Sequence, residues 1–134
     1  MSLLSDIWTY WKGNANLNTT FPINPPTGQT KYWVGYIGDG TKLPFVSANL
    51  ISAVPTWSTC GKYFDEATVQ FSVFADTLAS AESYADLIQR QFDFVSIGSS
   101  EQPARRNNRF AISDPAGAYH IVLEYLFMVN GNIT

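Results

Sequence analysis

At 134 residues the chain has the length of one domain, large enough to bury a core without covalent staples. A net charge of −3, with only 14% charged residues, argues against a surface built to wrap nucleic acid. The single cysteine, Cys60, excludes an internal disulfide and a structural zinc site made of several thiolates.

The opening "MSLLSDIWTYWKG" lacks the positive region and long apolar run of a signal peptide, and no stretch approaches the ~18 apolar residues of a membrane span. A soluble protein made in a cytoplasm is expected. Within this opening, Leu3, Leu4, Ile7, Trp8 and Trp11 recur at three- and four-residue spacing. That predicts an amphipathic helix over Ser2 to Lys12, stopped by Gly13 and Asn14. From Asn14 to Gly40 the composition turns to Asn, Thr, Pro and Gly, and Pro22, Pro25 and Pro26 resist regular structure. A long Pro- and aromatic-rich loop is expected there, with a short strand between Tyr32 and Ile37.

"LPFVSANLISAV" reads as a strand entered at Pro44 and ended by Pro55, followed by a hairpin or loop through "TWSTCGKY". In "ATVQFSVFAD", Val69, Phe71, Val73 and Ala75 alternate with Thr68, Gln70, Ser72 and Asp76, the pattern of a half-buried antiparallel strand. A helix follows at once. Thr77 or Ser80 can cap it, and Ala81, Tyr84, Ala85, Ile88 and Phe92 form its apolar stripe. A polar connection containing "ARRNNR" leads to a strand at Arg109 to Ser113, and "DPAG" is a turn signal. The closing strand, "AYHIVLEYLFMVNG", is apolar on both sides and so needs cover on both. The predicted architecture is a single α+β domain spanning 1–134. It has an antiparallel sheet of about four strands, with the N-terminal helix and a second helix packed on one face. With two helices for cover, the second face of the sheet is left to another subunit.

Catalytic machinery is sparse. His120 is the only histidine and no G-x-S-x-G elbow is present, so a strand histidine is the ordinary reading. Asp65 and Glu66 read as solvated turn charges, and "YIGDGTK" lacks the phosphate-loop pattern. Arg105, Arg106 and Arg109 read as a basic loop making salt bridges between subunits or facing solvent. No cofactor, metal or enzymatic activity is expected.

The order of pieces resembles the tail-completion and tail-terminator family of long-tailed bacteriophages. Leu43-Pro44-Phe45-Val46 resembles the family's strand entry, and Val69 to Asp76 its second strand. Ala79 to Phe92 resembles the Ala-rich helix that follows, and Tyr119 to Met128 the closing strand. The segment from Asn18 to Tyr36 is longer than the family pattern and is expected to reach a neighbouring ring. The resemblance implies a non-enzymatic virion protein of the neck, assembled in the host cytoplasm. Six copies would form a ring that terminates or completes the tail tube and joins it to the head connector, with genome DNA passing through unread.

On this reading the partners are like subunits, the tail tube protein and the head-tail connector or stopper, with no membrane. The ring interface is assigned to Trp8, Trp11, Val122, Leu126 and Met128, and axial contacts with neighbouring rings to Trp33, Tyr36, Arg105 and Arg106. Two alternatives stay open. One is another virion part, a head-tail stopper or tail-tube subunit. The other is a small-ligand-binding α+β module with a pocket lined by Tyr119, His120 and Glu124.

Overall fold

A computed structural model of the chain describes residues 3–35, 37–38, 40–57, 63–98, 102–113 and 118–130. The first helix, α1, spans Leu3–Gly13 and buries Leu3, Ile7 and Trp11 along one stripe. Asn14 then acts as a cap where the sequence suggested a stop. Its side-chain oxygen accepts a hydrogen bond from the Leu17 amide at 3.1 Å, opening the short helix α2, Ala15–Thr20. An Asn side chain satisfies a free amide of a first turn as readily as it ends a preceding helix, which is why α2 escaped the pattern.

The sheet has five strands: β1 Tyr32–Val34, β2 Phe45–Trp57, β3 Tyr63–Ala75, β4 Arg105–Ser113 and β5 Tyr119–Asn130. Their order is β1-β2-β3-β5-β4. The fold is α+β as expected, but the sheet is mixed and not purely antiparallel. β1 runs parallel to β2, with Trp33 opposite Ser47, while every other pairing is antiparallel. Three residues are too few to display a two-residue period, and strand direction leaves no trace in composition.

Three strand boundaries also differ from expectation. β2 continues through Pro55, because beyond Ala48 its outer edge has no partner strand among the described residues, and an edge strand tolerates a missing amide. β3 begins at Tyr63, so Asp65 and Glu66 are strand residues and not turn charges. β4 likewise begins at Arg105, which puts the arginines of "ARRNNR" on an edge strand and not a loop. Cys60, Gly61 and the "DPAG" turn lie outside the described residues.

The third helix, α3, spans Leu78–Phe92 and lies across β3 and β5. Thr77 is its cap, its hydroxyl accepting from the Ser80 amide at 3.1 Å. Ala81, Ala85, Ile88 and Phe92 are buried against the sheet. The two long helices are joined through the Tyr10 hydroxyl, which donates to the Gln91 carbonyl at 2.6 Å, and the Asn14 amide, which donates to the Gln91 side chain at 2.9 Å.

Between the helices and the sheet lies an aromatic core. Trp11 stacks on Tyr32 with ring centroids 4.0 Å apart, and Phe71 packs on Phe92 at 4.8 Å. The Trp11 indole N–H donates to the Phe21 carbonyl at 3.0 Å. Leu17, Phe21, Ile23 and Tyr32 all contribute to this core. The Pro-rich segment is therefore folded back into its own subunit through its apolar residues. Much of the aromatic content resides in this interior.

Candidate assembly surface

All the packing just described lies on one face of the sheet. Among the described residues the other face has no helix. Along β3 it presents Thr68, Gln70, Ser72 and Phe74, and along β5 His120, Val122, Glu124, Leu126 and Met128, as alternation requires. Cross-strand register arranges these side chains in rows. Phe45, Phe74, His120 and Ile112 form one row across four strands. In it Phe45 and Phe74 are 4.9 Å apart and Phe74 stacks on the His120 ring at 4.1 Å. The next row is Ser47, Ser72, Val122 and Phe110; the one after is Asn49, Gln70, Glu124 and Asn108. The face thus grades from aromatic at the end nearest α3's start to polar in the middle.

The sequence-assigned interface residues separate on this geometry. Leu126 and Met128 are half-buried on the helix-free face, open to a partner. Val122 shares that face but is 1% exposed, already covered by its neighbours in the sheet. Trp11 is 0% exposed at the centre of the core, so assigning it to a subunit contact is corrected: its apolar surface is satisfied within its own chain. Trp8 is half-buried at the core's margin, with the Lys12 ammonium 4.9 Å above its ring. Trp8 and Trp33 meet in one hollow of about 200 Å³, lined also by Ile23, Asn24, Thr30 and Tyr32. Trp33 lies against Gly38, where a Cβ would sit 2.6 Å from the indole ring. Tyr36 lies outside the described residues. Arg105 and Arg106 are exposed on β4 at the sheet's edge, on the opposite side of the sheet from β1 and Trp33.

The pocket imagined for a ligand-binding module does not form. Tyr119 points to the helix side while His120 and Glu124 point away from it. Those two are four residues apart on one strand, about 13 Å. Among the described residues no three His, Cys, Asp or Glu side chains gather as a metal ion would require, and no helix is long and apolar enough to cross a membrane.

The charged groups mostly tie elements together. Arg109 donates to Asp86 and to Gln89 of α3, each at 2.8 Å, fixing β4 to the helix. The Tyr125 hydroxyl donates to Asp93 at 2.6 Å, and Arg106 lies 3.9 Å from the same carboxylate. Burial, then the bond to Asp93, pushes the Tyr125 hydroxyl pKa well above its usual value. Burial alone does the same for Tyr32, whose hydroxyl has no hydrogen-bond partner among the described residues. Burial, with the nearby Lys42 charge second, lowers the Lys31 pKa.

Sequence reasoning missed a further set of groups. Large apolar side chains are exposed on both flanks of the sheet: Leu50, Ile51 and Val54 on β2, and Phe110 and Ile112 on β4 with Leu78 and Tyr119 beside them. Leu78, Phe110 and Ala111 line a groove of about 280 Å³ whose rim carries Glu82 and Arg109. The signal in the sequence was the lack of charge in "NLISAVP", which read simply as strand.

A chain from the virion of a native gene transfer agent particle superimposes with a TM-score of 0.77 at 13% identity, covering 97% of this chain and 96% of that one. The likeness is one of fold. It spans nearly the whole of both chains. No protein-family model matches the chain, and no curated protein sequence matches it.

Proposed function

We propose that the chain is a non-enzymatic structural subunit of a phage-like virion. Six copies form a ring at the neck that terminates or completes the tail tube and joins it to the head connector, and the genome passes through without sequence recognition. The observation that carries this reading is the end-to-end fold likeness to a chain of a virion particle. The resemblance of the strand entry, second strand, helix and closing strand to tail-terminator proteins points to the neck.

Physical features support it. A closed ring of identical subunits needs two unlike surfaces on each copy. The chain has a helix-free sheet face and two sheet edges, with exposed apolar side chains on both flanks. Net negative charge suits a lumen that must let DNA slide.

Electron microscopy of particles assembled without this chain tests the proposal. Filled heads and separate tails should accumulate, and adding the purified chain should join them. Normal joined particles in its absence would refute it. Heads lacking any retained genome would favour a stopper, and absent tails a tail-tube subunit.

A further inference from the structure

Resting on the ring reading, we infer that adjacent copies meet edge to edge. The uncovered half of β2 in one copy, Asn49 to Pro55, packs beside β4 of the next copy in the antiparallel sense. Three observations converge on this pairing.

The first is where the apolar surface lies. Leu50, Ile51 and Val54 are exposed on β2, while Phe110, Ile112, Leu78 and Tyr119 are exposed at the β4 corner. These two groups occupy opposite flanks of one sheet. The second is that both strand edges are open. β4 is the last strand, and β2 has no outer partner strand beyond Ala48 among the described residues. Register shifts at Leu50/Ser52 and at Arg106/Asn108 interrupt any long ladder, so side chains carry the contact.

The third is charge and its direction. β4 holds three arginines and no acid; β2 and β3 together hold Asp65 and Glu66 and no base. Along β4 the order is basic then apolar, from Arg105 and Arg106 to Phe110 and Ile112. Along β2 it is apolar then acidic, from Leu50 and Ile51 to Val54 and Pro55, whose cross-strand partners are Glu66 and Asp65. Antiparallel placement sets Phe110 opposite the Leu50/Ser52 shift and Arg105 opposite Val54 and Pro55, near Glu66. Phe110, Val54, Glu66 and Arg105 share the helix-free face, whereas Leu50 turns to the helix side, and Arg106 and Arg109 are paired with Asp93 and Asp86 of their own copy. Parallel placement would set the arginines against the apolar residues. Pairing β4 with β4 would oppose arginine to arginine. The contact is thus head-to-tail, the type that closes into rings. This assigns Arg105 to the lateral contact and not to an axial one.

Two single variants, Val54→Arg and Phe110→Glu, test it, the first setting a cation against Arg105 of the next copy, with mass measured by light scattering and folding by circular dichroism. The wild-type chain should assemble, and each variant alone should be a folded monomer. An equimolar mixture should give one-to-one dimers and nothing larger, because one intact contact remains between the two variants. Glu66→Arg and Arg105→Glu should each weaken assembly at least tenfold, and the double variant should recover it. Should either variant unfold, Val54→Ser and Phe110→Ser replace them. Variants that assemble like wild type, or a mixture that stays monomeric, overturn the edge contact while the ring reading survives. A wild-type chain monomeric at every concentration overturns both.

Discussion

The two faces of the sheet are built from the same strands yet obey different rules. On the helix side, Val69, Phe71, Val73 and Ala75 of β3 are all fully buried, and each meets an apolar partner from α1, α3 or β5. On the other side, Thr68 and Ser72 are also nearly buried, but by neighbours in the sheet plane, since no helix among the described residues lies over them. Small hydroxyl residues tolerate that position because they expose little and can still reach polar partners. Phe74 and His120 stay half-buried in their row. The lesson is that one face stabilises the subunit and the other is free for contacts the subunit does not need in order to fold.

That contrast can be broken by substitution. Phe71→Ala, which opens a cavity among Trp11, Phe92 and Tyr125, should destabilise by about 3–5 kcal/mol in denaturant unfolding. Phe74→Ala, the same change on the open face, should cost only about 1 kcal/mol, mostly its aromatic pairings. Equal losses would mean that the open face is also a core.

Alkaline pH probes the covered face through its hydroxyls. Tyr32 and Tyr125 both have pKa values raised above their ordinary 10.0, so the folded chain favours their neutral forms. Their contribution is complete below about pH 10 and is lost as pH rises beyond it. Thermal melts should therefore fall above about pH 10, and Tyr125→Phe should flatten that fall.

Two smaller effects sharpen the picture. Tyr32→Phe removes a buried hydroxyl with no partner among the described residues and should stabilise the chain by about 1 kcal/mol, read as a higher urea midpoint. Thr77→Ala removes the α3 cap and should cost about 1 kcal/mol, with faster amide exchange confined to the first turn of the helix.

Much of this fold was legible in the chain. The alternation from Val69 to Ala75 and the helical stripe from Ala81 to Phe92 both appear where their periods place them. Both are long enough to repeat a period several times, and both have one wet side. The short elements were less readable. α2 and β1 are each about one repeat long, and Asn14 serves equally well as a stop or a cap.

The candidate surface was legible only in part. Leu126 and Met128 follow from the doubly apolar closing strand, since alternation must turn them away from the helices. Trp11 and Leu126 both look like spare hydrophobes in a list of residues. Trp11 meets Phe21, Tyr32, Phe71 and Phe92, which come from four other parts of the chain, and only folding brings them together.

The sequence by itself determined where the long strands and helices lie and which side of each is apolar, because local period is a property of neighbouring residues. The tertiary structure alone decided strand order, the parallel edge, and which apolar residues remain uncovered at the flanks. Those depend on what packs against each residue from distant parts of the chain, and no local pattern encodes that.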